Sequence, residues 1–180
     1  MRRIHLIALG GVVLAGLLAG VLYFSGNSVG SLLGATSTPS AREKVKPPPG
    51  YVEYVNERYT FSLWHPPDLQ VQEYAEENGN YSVSFQNPET GYGFQVFISA
   101  YGGEEITRER FLIDVPSGKM EEPTDIYIDD APATMFFSEN GLLGETREVW
   151  FIKGEYLYEV VTYKELDAWL SQIMTTWRFL

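Results

Sequence analysis

REVWFIKGEYLYEVVTY, residues 147–163, holds two apolar runs, 149–152 and 156–161, on either side of Lys153-Gly154-Glu155. A connection that short, centred on glycine, reads as a hairpin. Both runs read as apolar on two faces, and strands of that kind belong in the middle of a sheet covered on both sides. The residues that follow supply a cover. Residues 165–174 read as a helix with Leu166, Trp169, Leu170 and Ile173 on one stripe at i, i+3, i+4 and i+7. Residues 175–180 then read as a closing strand.

Working back towards the amino terminus, residues 59–63 and 81–86 alternate apolar with polar, the period of a strand with one face in a core. Turn chemistry separates them at Pro66-Pro67-Asp68, Glu77-Asn78-Gly79-Asn80 and Pro88-Glu89-Thr90-Gly91. Residues 91–101 continue as a long strand. A shorter helix over 104–114 carries Phe111 and Leu112, with acids in its first turn where the helix dipole favours them. Hairpin-connected strands with helices inserted give an α+β domain, an antiparallel sheet sandwiched by helices.

Two quoted segments resemble PsbP-like domains. YTFSLWHPPDLQV (59–71) resembles the family's opening, an aromatic-led strand running into a proline turn and a second strand. The hairpin at 147–163, the helix after it and MTTWRF (174–179) resemble the family's last hairpin, helix and strand. The resemblance implies an antiparallel sheet between helices and a non-catalytic role. The plant namesake is an extrinsic subunit of photosystem II, and a nuclear member of the same fold binds a small GTPase. Nothing here resembles the amino-terminal segment through which the plant protein engages photosystem II, so a photosynthetic role is not implied.

The chain divides into three parts. Residues 4–24 carry no Asp, Glu, Lys or Arg and follow Arg2 and Arg3. A helix of that run would reach about 31 Å, the thickness of a bilayer's hydrocarbon core. Residues 1–24 therefore read as a cytoplasmic tip and single-pass membrane anchor, with the remainder outside the cytoplasm by the positive-inside rule. The rival reading is a signal peptide cleaved at Ala35-Thr36-Ser37. Gly11, Ala15 and Ala19 form one small-residue row and Gly16 with Gly20 another, a face through which the anchor could pair with a second copy. Residues 25–50, rich in Ser, Thr, Gly and Pro, read as a linker of about 28 Å if treated as a coil. Residues 51–180 form the outer domain.

That domain carries 23 acidic and eight basic side chains, against one acidic and five basic in residues 1–50. Such a field repels nucleic acid and anionic lipid headgroups and attracts basic partners and divalent cations. With no cysteine, disulfides and lipidated cysteine are excluded. His65, between Trp64 and Pro66, is the one histidine available outside the anchor region and reads as the end of a turn. Paired carboxylates are abundant, which points to a solvated face. The densest stretch, Glu121, Glu122, Asp125, Asp129 and Asp130, is a candidate Ca²⁺ site, although it lacks EF-hand spacing. In the loop 138–144, Asn140-Gly141 signals a turn and puts Leu142 and Leu143 at a hairpin tip, a candidate partner contact. The expectation is a membrane-tethered, non-catalytic interaction domain for an extracytoplasmic protein partner. The alternatives are a ligand- or carbohydrate-binding module using exposed aromatics, and a hydrolase using paired carboxylates.

Overall fold

The hairpin at 147–163 lies in the middle of a seven-stranded sheet, as its two apolar faces require. The computed structural model describes residues 47–76 and 79–180. In chain order its strands are β1 (Val52–Asn56), β2 (Phe61–His65), β3 (Gln70–Ala75), β4 (Tyr81–Gln86), β5 (Gly93–Ala100), β6 (Glu121–Ile128), β7 (Ala131–Asn140), β8 (Gly144–Lys153), β9 (Tyr156–Tyr163) and β10 (Arg178–Phe179). Helix α1 (Arg108–Asp114) falls between β5 and β6; a 3-10 turn (Lys164–Leu166) and helix α2 (Asp167–Met174) fall between β9 and β10. The large sheet runs β3-β4-β5-β9-β8-β7-β6 and a small one runs β1-β2-β10. Every pairing is antiparallel. The candidate anchor, with the five small residues of its pairing face, and the linker as far as residue 46 lie outside the described residues. Among the described residues no helix is long and apolar enough to cross a membrane.

Side-chain alternation sorts the large sheet into two faces. Val83, Phe85, Phe94, Val96, Val149, Phe151, Tyr158 and Val160 point to one, where the small sheet and α2 meet them through Phe61, Leu63, Leu170, Ile173 and Trp177. Fully burying such a side chain contributes roughly 1.5–3 kcal/mol. The opposite face is covered over part of its width by α1, where Phe111 packs with Phe136 and Trp150 in a separate cluster. The cover on the main face is therefore a small sheet and a helix together, where the sequence reading placed helices alone.

Several boundaries differ from expectation. Helix α1 starts at Arg108, because Thr107 caps it by accepting the Arg110 N–H at 3.2 Å. Residues 104–107 are irregular, with bends at Glu104 and Glu105, and of the two apolar residues the helix was read as carrying only Phe111 is buried, Leu112 being exposed. The closing strand shrinks to Arg178–Phe179 because residues 175–177 turn off the end of α2 through backbone bonds back to Ser171, Ile173 and Met174. Strand β2 begins at Phe61, since Thr60 takes a left-handed φ of 51°. Ser62, Ser82 and Ser84 are buried although they alternate with apolar residues, so both faces of these strands are covered. On the predicted stripe Leu170 and Ile173 are buried, while Trp169 is half-buried and meets Phe94 edge-on at 5.9 Å.

The densest acidic stretch forms most of an edge strand. Strand β6 pairs only with β7, and its register shifts between Glu121 and Thr124. At that irregularity Glu122 adopts φ 51° and Pro123 has no N–H to offer.

Candidate functional site

The α1-covered face of the large sheet holds the domain's most unusual chemistry. On β8, Thr146, Glu148 and Trp150 alternate with Arg147, Val149 and Phe151, so the first three share this face. Glu148 is buried; its carboxylate accepts from the Thr146 hydroxyl at 2.9 Å and from the Trp150 indole N–H at 3.3 Å. Burial outweighs both hydrogen bonds and lifts its pKa from 4.5 to about 7. Across the β8–β9 register Trp150 faces Glu159. Burial, then the negative charge of Asp114, push the Glu159 carboxyl well above the usual range, with Arg110 opposing them. Arg110 holds the helix to the sheet. It pairs with Asp114 one turn along α1, reaches Glu159 at 3.3 Å and donates to the Ser99 hydroxyl on β5 at 3.1 Å.

Beside this network runs a groove of about 460 Å³. Glu104, Glu105 and Ile106 bound it from the segment before α1, Asp125 and Tyr127 from β6; Thr134 and Trp150 from β7 and β8 also line it. Tyr101 fixes the first boundary: its hydroxyl donates to the Glu105 carbonyl at 2.7 Å and accepts the Thr107 N–H at 3.3 Å. Its ring occupies the space a β-carbon on Gly103 would need, 2.8 Å from the nearest ring atom. Among the described residues Glu104, Glu105 and Asp125 have no cationic partner; Asp125 only accepts the Thr134 hydroxyl at 3.5 Å. Tyr127 is 71% exposed on the rim. Three carboxylates around aromatic and aliphatic surface suit a cation carried on an apolar stem.

The five carboxylates grouped by sequence go to different places. Glu121 lies 3.4 Å from Lys119, Asp130 pairs with Lys153 at 2.6 Å, and Asp125 joins the groove. Glu122 sits at the β6 irregularity, and Asp129 at the β6–β7 turn, where its φ is 53° and its carboxylate accepts the Phe179 N–H at 3.1 Å. Among the described residues no group of three or more His, Cys, Asp and Glu side chains converges on a metal position. At the β7–β8 tip Leu142 is 72% exposed and Leu143 is half-buried; the Asn140 side chain accepts both their N–H groups, at 2.9 and 3.2 Å. His65 is buried at the end of β2, its Nδ1 donating to the Pro66 carbonyl at 2.7 Å, and burial lowers its pKa. Sequence reasoning missed Arg110, Glu148 and Glu159. The signal was present for Glu159, since a glutamate inside a run apolar on both faces must be buried or break the pattern.

No sequence-family profile matches this chain, and no curated protein sequence matches it. A solved structure does. The solution structure of cyanobacterial PsbP (CyanoP) from Synechocystis sp. PCC 6803 matches with a TM-score of 0.54 at 9% sequence identity, covering 79% of this chain and 99% of that one.

Proposed function

With a PsbP-like fold as the premise, we propose that this chain is a membrane-tethered, non-catalytic accessory domain that works outside the cytoplasm by holding a partner protein. The partner presents a lysine or arginine on an apolar segment, and the acidic groove receives it. The observation that carries this reading is the set of Glu104, Glu105 and Asp125 around Trp150, carboxylates without a cation among the described residues, in a domain of strongly negative charge. Tethering rests on the uncharged run 4–24 behind Arg2 and Arg3. The non-catalytic reading is supported by His65, whose ring is committed to the Pro66 carbonyl and lies 5.2 Å from the Phe85 ring, edge-on.

Two measurements test it. Protease added to intact protoplasts removes residues 51–180 if the topology is right; full protection of the domain overturns it. A photo-crosslinking residue in place of Tyr127, in the full chain in its membrane, captures a discrete protein. Capture drops when Glu104, Glu105 and Asp125 become Gln, Gln and Asn, and drops with added salt. Capture indifferent to both changes sinks the groove as the contact.

A further inference from the structure

On the opposite face of the sheet a second cavity, of about 250 Å³, opens between α2 and the strands β6, β7 and β8. Its apolar lining includes Ile126, Ile128, Met135, Val149, Leu170 and Met174, and the single cation among its lining residues is Arg147. This arginine is 5% exposed. Its Nε donates to Asp167 at the start of α2 at 2.7 Å, and its guanidinium lies 3.7 Å from the centre of the Phe137 ring. Those two contacts fix the plane of the fork, yet neither Nη nitrogen has a hydrogen-bond partner among the described residues. Neither Nη is among the fully buried side-chain atoms that lack a partner, so both keep contact with solvent and stand open to a ligand's acceptor.

We propose that this cavity binds a small monocarboxylate with an apolar body, its carboxylate on the free Nη edge of Arg147 and its body among Met135, Leu170 and Met174. Size, charge and geometry agree. The volume lies between the roughly 150 Å³ that admits a benzene ring and the roughly 300 Å³ at which drug-sized sites begin. A planar fork with its Nε edge occupied still offers the parallel N–H pair that a carboxylate matches. A second negative charge would be opposed by Asp167 beside the site and by the acidic domain around it. The site lies on the other face of the sheet from the acidic groove, so it stands whether or not the groove holds a partner.

Methionine methyl groups report on this cavity directly. The sequence has four methionines; Met135 and Met174 line the cavity, and Met120 is exposed outside it. In the full chain, reconstituted in nanodiscs of zwitterionic lipid and labelled at methionine methyl groups, octanoate is expected to shift the Met135 and Met174 signals saturably and leave Met120 unmoved. Octanamide, equal in body but uncharged, is expected to bind about tenfold more weakly. Arg147→Lys, which keeps the charge and loses the fork, is expected to weaken octanoate about tenfold; Ile126→Phe, which fills the cavity without touching the ion pair, is expected to abolish binding. A cooperative melting transition followed by the fluorescence of the buried Trp177 certifies the fold of each variant. Unmoved Met135 and Met174 signals up to the solubility limit of octanoate overturn the proposal. So does equal affinity for octanamide, or binding that survives Ile126→Phe.

Discussion

Trp177 lies flat on Phe61, ring centroids 4.3 Å apart and planes 8° from parallel. Both rings are wholly buried, and the stack ties the end of the chain to a strand formed more than a hundred residues earlier. The indole Nε1 of Trp177 is buried without a hydrogen-bond partner, so packing alone holds this side chain. Trp177→Ala is therefore expected to destabilise by about 3–5 kcal/mol, the range for emptying a large aromatic site. Trp177→Phe should cost much less, under about 1.5 kcal/mol, because it removes the unsatisfied donor along with part of the ring. Urea unfolding of the full chain checks both, and equal losses would mean that the indole N–H has a partner after all.

Glu148 makes the domain lose stability as pH rises towards neutrality. Its pKa rises from 4.5 in the unfolded chain to about 7 in the fold, so the native state holds the proton more tightly. Its contribution is fully present below about pH 4.5, is lost progressively as pH rises from there through about 7, and is gone above that, a swing on the order of 3 kcal/mol. Glu159 shifts in the same direction. Glu148→Gln keeps an acceptor for Thr146 and Trp150 and has no proton to lose. The variant is expected to gain melting temperature over the wild type at pH 8 and to gain little at pH 5. A gain of the same size at both values contradicts the assignment.

Gly93 opens β5 where β4 passes closest. A β-carbon there would lie 2.1 Å from the Phe85 carbonyl oxygen and 2.9 Å from the Gln86 Cα. Both obstacles are backbone and cannot swing away, and the next residues along, Phe85 and Phe94, are stacked at 4.4 Å. Gly93→Ala is expected to destabilise by about 3 kcal/mol, more than most surface changes. Chemical denaturation measures it, and a change under about 0.5 kcal/mol would place the strand entry elsewhere.

The two leucines of the β7–β8 tip should separate. Leu142 is 72% exposed, so Leu142→Ser is expected to leave stability within about 0.5 kcal/mol. Leu143, half-buried, should lose more on the same change. If Leu142→Ser also weakens capture of a partner at unchanged melting temperature, the tip belongs to the contact surface along with the groove.

How much of this could be read from the chain depended on how local each cause was. The central hairpin was legible because Val149, Phe151, Tyr158 and Val160 announce burial by composition alone. Helix α2 was legible through Leu170 and Ile173, and the same stripe overstated Trp169, which reaches only the edge of the core. Strand β6 was not legible. Its outward side chains are acidic, and its pairing with β7 is a property of the partner strand. The Arg110 network was hidden for a similar reason: Arg110, Ser99 and Glu159 lie on three elements that only the fold brings together. The groove combined both difficulties. Its carboxylates looked like ordinary surface charge until Tyr101 held the 104–107 segment in place and Trp150 joined them in one lining.

The irregular start of β6 sets where the sheet stops growing. An edge strand is a template on which another molecule can continue the ladder, and cross-linked sheets of that kind grow into fibrils. Here the template is spoiled at one end by Pro123, which has no N–H to give, and by the register shift at Glu121 and Thr124. Glu121, Glu122 and Asp125 then set like charge against like charge wherever two copies bring these edges together. Replacing Pro123 and its acidic neighbours with β-formers would convert a self-limiting sheet into one able to polymerise.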